Sequence, residues 1–465
     1  MQLGDLLDDV TLDVATSSIE IRDVQIDSRQ CGEGSLFFAL PGSSAHGARY
    51  ASDAVERGAA AVVASEPLSP GVPVVVVPAS QLQALVAHVS AAVVGNPETS
   101  VELVGVTGTN GKTSVTTLVA QLARALQWNG ASIGTLTSER TTPSAPELFR
   151  TMAHLVGAFE AHRSRSVIAL EVSSHALDQG RVEGLRFAVA AFTNLSHDHL
   201  DYHLSMEEYF LAKARLFTAE HAQRAVIWGD DPYGERLAAM TTLPTSLVRR
   251  ADADDVNSSL VGTTFFWRGH LVNTALIGDF NVDNALMAMT ILSTLGASDE
   301  DVVAAMSEVE GVPGRLEVVN AGDVIVIVDY AHTPEGLRRL LGSVRALAPQ
   351  GRVITVFGCG GDRDRAKRPE MGTVASTCSD LTIVTSDNPR SEAPDAIMDA
   401  IMSGVAPGPD VRRIVDRREA IAEAIHSAAR GDVVVIAGKG HEATQIIGDV
   451  VVPFDDRVVA LELLR

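Results

Sequence analysis

Residues Thr107–Ser114, which read TGTNGKTS, decide the fold predicted for this chain. They follow the apolar run Val101–Val106 and precede Val115–Leu126, where apolar residues recur with helical spacing. A glycine-rich loop between a strand and a helix lets backbone N–H groups approach phosphate oxygens, and the helix N-terminus adds positive potential. The strict Walker spacing is not met, because Val106 stands in place of its first glycine. The strand–loop–helix context still predicts a phosphate-binding loop.

The side chains of this loop suggest how it would hold a nucleotide. The predicted ATP-binding residues of the loop are Gly108, Thr109, Asn110, Gly111, Lys112, Thr113 and Ser114. The Lys112 ammonium can reach the β- and γ-phosphates, and the adjacent Thr113 hydroxyl is the expected Mg²⁺ ligand. Glu171 ends the apolar run Val167–Leu170, and a carboxylate at the carboxyl end of a parallel strand is a candidate second Mg²⁺ ligand. The alternative role for Glu171 is to cap the next helix.

The segment Asn194–His203 is rich in metal-binding residue types, with three histidines and two aspartates within His197–His203. Structural zinc is one interpretation, but no cysteine lies nearby and the histidine spacing lacks a helical HExxH frame. A loop that offers a ligand to a hard metal near a triphosphate fits the pattern better.

Lys213 lies in Glu207–Leu216, a stretch with the spacing of an amphipathic helix. A single lysine on a helix is normally a solvated surface residue. The helix pattern by itself therefore gives Lys213 no chemical role.

The rest of the chain alternates short apolar runs with helical stretches, which predicts an α/β fold with mainly parallel sheets and helices on both faces. The apolar runs include Ser35–Leu40, Ala60–Ala64, Val74–Val77, Ala188–Phe192, Val324–Asp329, Arg352–Phe357, Leu381–Thr385 and Val433–Ala437. Turn residues at Gly95–Pro97 and Gly311–Gly314 mark two boundaries. We therefore predict three domains, at residues 1–96, 97–311 and 312–465.

The composition excludes several classes of protein. The 465 residues carry 37 Lys+Arg against 59 Asp+Glu, a formal net charge of −22, which argues against a nucleic-acid backbone binder. With 46% hydrophobic residues the chain can bury a core, so global disorder is excluded. The apolar runs fall short of the ~18–20 residues that span a bilayer. The acidic N-terminus and three scattered cysteines indicate a cytoplasmic protein with reduced thiols and no membrane insertion.

Eleven motifs follow one another along the chain. They are Asp27–Arg29 with Leu36–Leu40, Thr107–Ser114, Thr141–Pro143, Glu171–Val182, Thr193–His203, Gly278–Asn284, Pro313–Glu317, Val328–Pro334, Gly358–Asp364, Ser386–Glu392 and Gly438–Glu442. In sequence and order they resemble the motifs of the ATP-dependent Mur ligases of peptidoglycan precursor synthesis. The resemblance implies a small α/β uridine-nucleotide domain, a central P-loop ATPase and a C-terminal Rossmann-like, doubly wound domain.

The resemblance also implies residues for the nucleotide substrates and the metals. Contacts to a UDP-N-acetylmuramoyl-dipeptide match Ser28, Ser43, Ser44, Ala45, Thr141, Thr142, Ser173, Gln179 and Arg181, and further ATP contacts match Asn281, Arg315 and Asp329. Lys213 matches the carbamylated lysine of the family, whose carboxylate-like anion can hold a second Mg²⁺, and His199 matches the histidine near that metal. The expected metal ligands are Thr113, Glu171, His199 and Lys213, and the expected catalytic residues are Lys112, Lys213 and His199.

The site for the incoming amino acid is expected at Arg363, Asp387, Asn388, Pro389, Arg390, Gly438 and Glu442, which match the family's contacts. A guanidinium pairs bidentately with a carboxylate and repels an ammonium, so Arg390 suits an amino acid with a carboxylate at its far end. Glu442 can accept a hydrogen bond from a distal ammonium. In the family, the sequence Asp-Asn-Pro-Arg, here Asp387–Arg390, occurs in the ligases that add meso-diaminopimelate.

The resemblance therefore implies a monomeric ligase that joins meso-diaminopimelate to UDP-N-acetylmuramoyl-L-alanyl-D-glutamate through an acyl phosphate, with ATP and two Mg²⁺ ions. Addition of L-lysine or another diamino acid, a polyglutamate-type ligase, a P-loop nucleotide switch and a non-catalytic Mur-like binding protein are the alternatives. Three departures from the family pattern affect substrate contacts: the short connection Thr137–Arg140, His46 in place of an aspartate, and Asp178.

Overall fold

The computed structural model describes residues 1–8, 10–42, 46–200 and 202–465. Two compact units separate within the fold. Unit 1 consists of Met1–Val248 and Thr290–Ala297, and unit 2 consists of Arg249–Met289 and Ser298–Arg465. The α/β fold class predicted from the sequence is confirmed, and the three domain boundaries remain a prediction.

The N-terminal part of unit 1 is a small parallel sheet with helices. Its elements are α1 (Leu3–Leu6), α2 (Val14–Ser17), β1 (Asp23–Gln25), β2 (Ser35–Phe38), α3 (Ala51–Glu56), β3 (Ala59–Ala64), β4 (Val74–Val76) and α4 (Leu82–Val93). The four strands pair in the order β1-β2-β3-β4, all parallel. Leu36 and Phe38 enter one apolar cluster and Phe37 enters another, as the two-residue period of a strand buried on both faces requires.

The second part of unit 1 carries a larger parallel sheet. Its elements are β5 (Glu102–Thr107), α5 (Lys112–Ala125), β6 (Asn129–Ile133), α6 (Ala145–Ala158), β7 (Ser166–Glu171), α7 (Ser174–Asp178), β8 (Val189–Phe192), α8 (Met206–Ala214), β9 (Ala225–Trp228), α9 (Pro232–Met240) and β10 (Thr245–Val248). The strand order is β10-β9-β8-β5-β7-β6, with every pair parallel. The carboxyl ends of these strands therefore share one edge of the sheet.

A three-stranded antiparallel sheet follows, which the sequence did not predict. It consists of β11 (Ala253–Ser259), β12 (Gly262–Trp267) and β13 (His270–Thr274), and α10 (Asp279–Leu295) and α11 (Asp299–Met306) come after it. The strand β11 reads ADDVNSS and is mostly exposed, so it lacks the apolar run that would reveal a buried strand.

The C-terminal part of unit 2 is doubly wound. Its elements are β14 (Glu317–Ala321), β15 (Ile325–Asp329), α12 (Pro334–Leu347), β16 (Val353–Phe357), α13 (Lys367–Cys378), β17 (Leu381–Val384), α14 (Pro394–Met402), β18 (Val411–Arg413), α15 (Arg417–Ser427), β19 (Val433–Ala437), β20 (Thr444–Ile447), β21 (Val450–Pro453) and α16 (Asp456–Leu463). The order is β14-β15-β19-β16-β17-β18, and only β14 is antiparallel to its neighbour. Helices α12, α13 and α14 pack on one face, and α15 and α16 on the other.

The C-terminal sheet ends in loops that carry most of the predicted amino-acid contacts. Strands β19, β16 and β17 are parallel neighbours, so the loops after them leave the same edge of the sheet. The strand β19 reads VVVIA and is buried throughout, which fits a central strand covered on both faces. None of the helices that the structure describes is both long and apolar enough to cross a membrane.

Candidate active site

The phosphate loop lies at the carboxyl edge of the parallel sheet in unit 1, between β5 and α5. Its conformation depends on glycine at Gly108, where φ is +149° and an added Cβ would lie 1.9 Å from the Thr193 hydroxyl. The residues after β8 hold the loop in place. Thr193 Oγ1 donates to the Asn110 carbonyl at 2.6 Å, and the Asn110 N–H donates to Asn194 Oδ1 at 3.0 Å. The loop is therefore fixed by a neighbouring strand end.

The predicted phosphate and metal ligands lie together at this edge. Lys112 Nζ donates to the carbonyl oxygens of Gly108 and Thr109, both at 2.9 Å. Thr113 Oγ1 donates to Glu171 Oε2 at 3.1 Å in a buried contact. The Thr135 N–H donates to the other carboxylate oxygen of Glu171 at 2.8 Å. A hydroxyl and a carboxylate held side by side are the hard oxygen donors that Mg²⁺ requires, so these residues fit that ion.

Lys213 is buried, with 1% of its surface exposed, so the surface role suggested by the helix pattern is wrong. Its Nζ donates to the Gly108 carbonyl at 2.8 Å and lies 4.6 Å from the centre of the Tyr209 ring. Burial, and then the neighbouring charge of Lys112, lower the pKa of Lys213 well below its ordinary value of 10.5. The neutral amine favoured by these surroundings is the form that combines with CO₂ to give a carbamate.

His199 lies in a cluster of aromatic and imidazole rings beside α8, the helix that carries Lys213. Its ring centre is 5.0 Å from that of His175 and 6.0 Å from that of Tyr209. Its backbone has a φ of +54°, and its Nε2 lies 3.6 Å from Asp198 Oδ2. Among the residues that the structure describes, no group of three or more His, Cys, Asp or Glu side chains is arranged to hold a metal, so the zinc interpretation gains no support.

Four of the predicted dipeptide contacts form one hydrogen-bonded network. Thr142 Oγ1 donates to the Glu171 carbonyl at 2.8 Å and accepts from the Ser173 N–H at 3.0 Å. Arg181 donates to the Thr142 carbonyl at 2.8 Å and to Gln179 Oε1 at 2.6 Å. Burial, and then the charge of Arg140, lower the pKa of Arg181. The network ties the predicted dipeptide contacts to β7, the strand that ends in Glu171.

Asp178 has a structural explanation that the sequence did not provide. Its carboxylate accepts a 2.6 Å hydrogen bond from the Tyr202 hydroxyl, which in turn accepts from the Gln179 amide at 3.3 Å. Burial and this carboxylate raise the pKa of Tyr202. Asp178 therefore fixes Tyr202 beside a predicted dipeptide contact. Sequence reasoning did not include Tyr202, although its position in the histidine-rich segment was a usable signal.

Of the predicted uridine contacts, Ser28 lies among the described residues. Ser28 is buried, and its hydroxyl hydrogen-bonds the Asp53 carboxylate and lowers the pKa of that acid. Ser43, Ser44 and Ala45 lie outside the described residues. His46 Nδ1 accepts from the Ala48 N–H at 3.2 Å, so the residue that departs from the family pattern caps a short 3₁₀ turn. Thr141 Oγ1 lies 3.4 Å from the Thr135 hydroxyl, which donates to Glu171 Oε2 at 3.3 Å.

In unit 2, the three further residues expected to contact ATP are held by local bonds. Asp329 is buried, and its carboxylate accepts from the Leu316 N–H at 2.6 Å and the Ala331 N–H at 2.7 Å. Burial raises the pKa of Asp329 despite these bonds and the nearby Arg315 charge. The Arg315 guanidinium stacks 4.2 Å above the Tyr330 ring. Asn281 Nδ2 donates to the Ile277 carbonyl at 3.0 Å.

The predicted amino-acid contacts lie in the loops after β16, β17 and β19. Arg390 has a φ of +50°, and its guanidinium donates to the Gly361 carbonyl at 2.8 Å. Asp387, Asn388 and Pro389 precede it and are buried, whereas Arg363 is exposed on the loop after β16. Asn388 Nδ2 donates to Glu442 Oε2 at 2.8 Å, so two loops meet directly. Gly438, with a φ of +114°, begins the third loop beside Asp387.

Three buried cations of unit 2 were missed by sequence reasoning: Arg368 in α13, Arg417 in α15 and Lys439 in the loop after β19. Arg368 binds Glu392 through both carboxylate oxygens at 2.8 and 3.0 Å, and Arg417 binds Asp456 through two 2.7 Å contacts. Lys439 is 0% exposed. Lys439 lies inside the motif Gly438–Glu442, whereas Arg368 and Arg417 lie outside the eleven motifs. Burial depends on tertiary packing and has no local sequence signal.

The chain matches three family models in sequence. They are described as "Mur ligase family, catalytic domain" over residues 20–125, "Mur ligase middle domain" over residues 106–292 and "Mur ligase, glutamate ligase domain" over residues 314–440. Together these matches extend over most of the chain, in the order in which the motifs occur.

Two relatives and two solved structures are similar over nearly the whole length. UDP-N-acetylmuramoyl-L-alanyl-D-glutamate–2,6-diaminopimelate ligase of Gloeobacter violaceus is 44% identical, with 100% of this chain and 98% of the relative covered. The relative of the same name from Geobacillus kaustophilus is 43% identical, with 95% and 94% covered. A solved structure of a ligase with that name has a TM-score of 0.68 and 30% identity, over 100% of this chain and 98% of that chain. MurF ligase from Thermotoga maritima in complex with ADP shares the fold, with a TM-score of 0.65 and 16% identity over 95% and 96% of the two chains.

Proposed function

The chain belongs to the Mur ligase family, and we propose that it joins 2,6-diaminopimelate to UDP-N-acetylmuramoyl-L-alanyl-D-glutamate with hydrolysis of ATP to ADP and phosphate. It is an ATP-dependent ligase of peptidoglycan precursor synthesis. The observation that carries the proposal is the Lys213 side-chain amine, buried against the same Gly108 carbonyl that Lys112 contacts. A nucleotide switch needs the phosphate loop but has no use for a second buried amine against it.

The chemistry requires activation of a carboxylate, because its leaving group would otherwise be oxide. An oxygen of the D-glutamyl γ-carboxylate attacks the γ-phosphorus of ATP, and ADP leaves with the electrons of the broken bond. An amine of diaminopimelate then attacks the acyl phosphate carbon, phosphate leaves and the amine loses its proton. The Lys112 ammonium lies over the loop that would hold the phosphates, where it can neutralise charge that builds up during transfer.

The metal site of the proposal uses residues from helices α5 and α8, from the end of β7 and from the loop after β8. Thr113, Glu171, His199 and a carbamylated Lys213 would hold two Mg²⁺ ions, and the adjacent Thr113 and Glu171 oxygens support this assignment. When bound, such ions neutralise phosphate charge and favour in-line transfer. The carbamate would convert a buried amine into an oxygen donor, which the depressed pKa of Lys213 supports.

The specificity of the proposal rests on Arg390 and Glu442. A guanidinium at Arg390 would pair with the distal carboxylate of the amino acid, and a carboxylate at Glu442 would accept from its distal ammonium. L-Lysine lacks that carboxylate and would leave the Arg390 charge unpaired. We propose the meso isomer of diaminopimelate as the substrate, because that isomer goes with the Asp387–Arg390 sequence in the family. A cytoplasmic location and a monomeric state remain predictions.

The test is a panel of amino acids with purified protein, ATP, Mg²⁺ and UDP-N-acetylmuramoyl-L-alanyl-D-glutamate, read by phosphate release and mass spectrometry. We expect phosphate release only when both the UDP-dipeptide and a diaminopimelate isomer are present, with a product larger by one diaminopimelate residue. Phosphate release without either substrate would support the nucleotide switch. A lysine-containing product of equal yield would overturn the specificity.

A further inference from the structure

The chain is very poor in lysine. Of its 37 Lys and Arg residues only four are lysines, namely Lys112, Lys213, Lys367 and Lys439. Lys112 and Lys213 belong to the phosphate-loop region already described. Lys439 is 0% exposed and follows β19, in the loop that also carries Glu442. A buried lysine in a chain that otherwise uses arginine indicates a site where a compact charge is required.

The three protons of the Lys439 ammonium have three acceptors. Its Nζ lies 2.6 Å from the Thr444 carbonyl, 3.2 Å from Asn388 Oδ1 and 3.2 Å from Glu442 Oε2. It also lies 3.7 Å from Asp387 Oδ1. A tetrahedral ammonium suits acceptors that converge from three directions, whereas the planar fork of a guanidinium does not. The site is therefore shaped for lysine.

These contacts set the orientation of the Asn388 amide. Asn388 Oδ1 accepts from Lys439 and from the Ile446 N–H at 3.0 Å, so the amide nitrogen faces the other way and donates to Glu442 Oε2 at 2.8 Å. Glu442 Oε2 thus accepts from two donors, Asn388 and Lys439. These two hydrogen bonds hold the Glu442 carboxylate in one orientation. The position of Oε1, the other carboxylate oxygen, is thereby fixed as well.

We infer that Lys439 is a positioning residue that lets the site select amino acids with a distal ammonium over amino acids without one. It fixes Glu442 and Asn388, and its charge balances Glu442 and Asp387 in a buried region. The inference rests on the proposed function, in which Glu442 accepts from the distal ammonium of the amino acid. Lys439 itself does not contact the substrate. Without it, a mobile Glu442 would bind that ammonium less well.

The experiment compares two substrates in Lys439→Met and in the control Lys367→Met. Lys367 begins α13 in the same unit and takes no part in the proposed site. The substrates are diaminopimelate and 2-aminopimelate, which keeps both carboxylates but lacks the distal ammonium. In Lys439→Met we expect kcat/KM for diaminopimelate to fall about 30-fold, and that for 2-aminopimelate less than about 3-fold, as expected when a charged hydrogen bond is lost. The KM values of Lys439→Met for ATP and the UDP-dipeptide should not change. In Lys367→Met, kcat/KM for diaminopimelate and kcat/KM for 2-aminopimelate should both equal the wild-type values.

Equal losses with both substrates would overturn the inference, because a general structural role predicts no change in their ratio. An unchanged ratio with full activity would overturn it as well. Lys439→Gln, which can still donate to one acceptor, serves as a second variant and should give an intermediate ratio even if Lys439→Met fails to fold. If the wild-type protein does not use diaminopimelate at all, the proposed function fails, whereas wild-type preference with an unchanged variant ratio removes only the role of Lys439.

Discussion

Lys213 in unit 1 and Lys439 in unit 2 are equally buried, with 1% and 0% of their surfaces exposed, but their neighbours differ in charge. Lys213 donates to a backbone carbonyl, and burial, followed by the nearby Lys112 ammonium, lowers its pKa. Lys439 lies within 4 Å of the Glu442 and Asp387 carboxylates. Burial alone therefore does not decide what a lysine can do.

The difference assigns separate tasks to the two regions. A neutral buried amine is reactive toward CO₂ and can become an oxygen donor for a metal. An ammonium with carboxylates around it can hold those acidic side chains in a fixed geometry. The region around Lys213 would thus activate the carboxylate, and the region around Lys439 would choose the amine.

Removal of the Lys213 amine is expected to have the largest effect. Lys213→Ala should lower the ligation rate by about 10³-fold, because a group that organises charge in the transition state is lost. Lys213→Arg should be equally inactive, since a guanidinium stays cationic and forms no carbamate. Ligation by Lys213→Ala is measured with and without short carboxylic acids. Partial rescue is expected, and full activity without them would contradict the comparison.

A change at Arg390 should lower kcat/KM for the amino acid and leave the KM for ATP unchanged. Arg390→Ala should lower kcat/KM for diaminopimelate by about 10²-fold, because the distal carboxylate would lose a bidentate partner. Arg390→Lys, which keeps the charge without the fork, should fall between the wild type and Arg390→Ala. Steady-state kinetics with each substrate varied in turn distinguishes these effects. An increase in KM for ATP as large as the change for diaminopimelate would show that Arg390 does not act on the amino acid alone.

The smallest effect concerns the acid stability of the amino-acid loops. Hydrogen bonds from Arg368 lower the pKa of Glu392 to about 2, from an ordinary value of 4.5. The folded protein therefore binds this proton less readily than the unfolded chain, and the stability that Glu392 contributes is present above pH 4.5 and is lost as the pH falls toward 2.

Glu392→Gln should thus be less stable than the wild type at neutral pH, and the difference between the two proteins should shrink as the pH falls through this window. Urea unfolding midpoints at a series of pH values measure the difference. A difference that stays constant with pH would show that Glu392 is not ionised through its contact with Arg368.

Much of this arrangement could be predicted from the sequence. The remaining features could not be predicted because no local sequence pattern reveals them. The phosphate loop and Glu171 were predictable because strand ends and glycines leave local patterns. The burial of Lys213 was not, since the spacing of α8 does not reveal which face packs inward. The role of Lys439 depends on contacts with Asn388, fifty-one positions away in the chain. The exposed sheet β11–β13 escaped prediction because its first strand is polar.

The division of labour between the two regions is tested most directly by trapping the acyl phosphate with hydroxylamine in place of diaminopimelate. The amine of hydroxylamine attacks the acyl carbon, phosphate leaves and a stable hydroxamate remains, which mass spectrometry detects. We predict hydroxamate formation at wild-type rates in Arg390→Ala and Lys439→Met, and none above background in Lys213→Ala. Loss of the hydroxamate in all three variants, or its full retention in Lys213→Ala, would contradict this account.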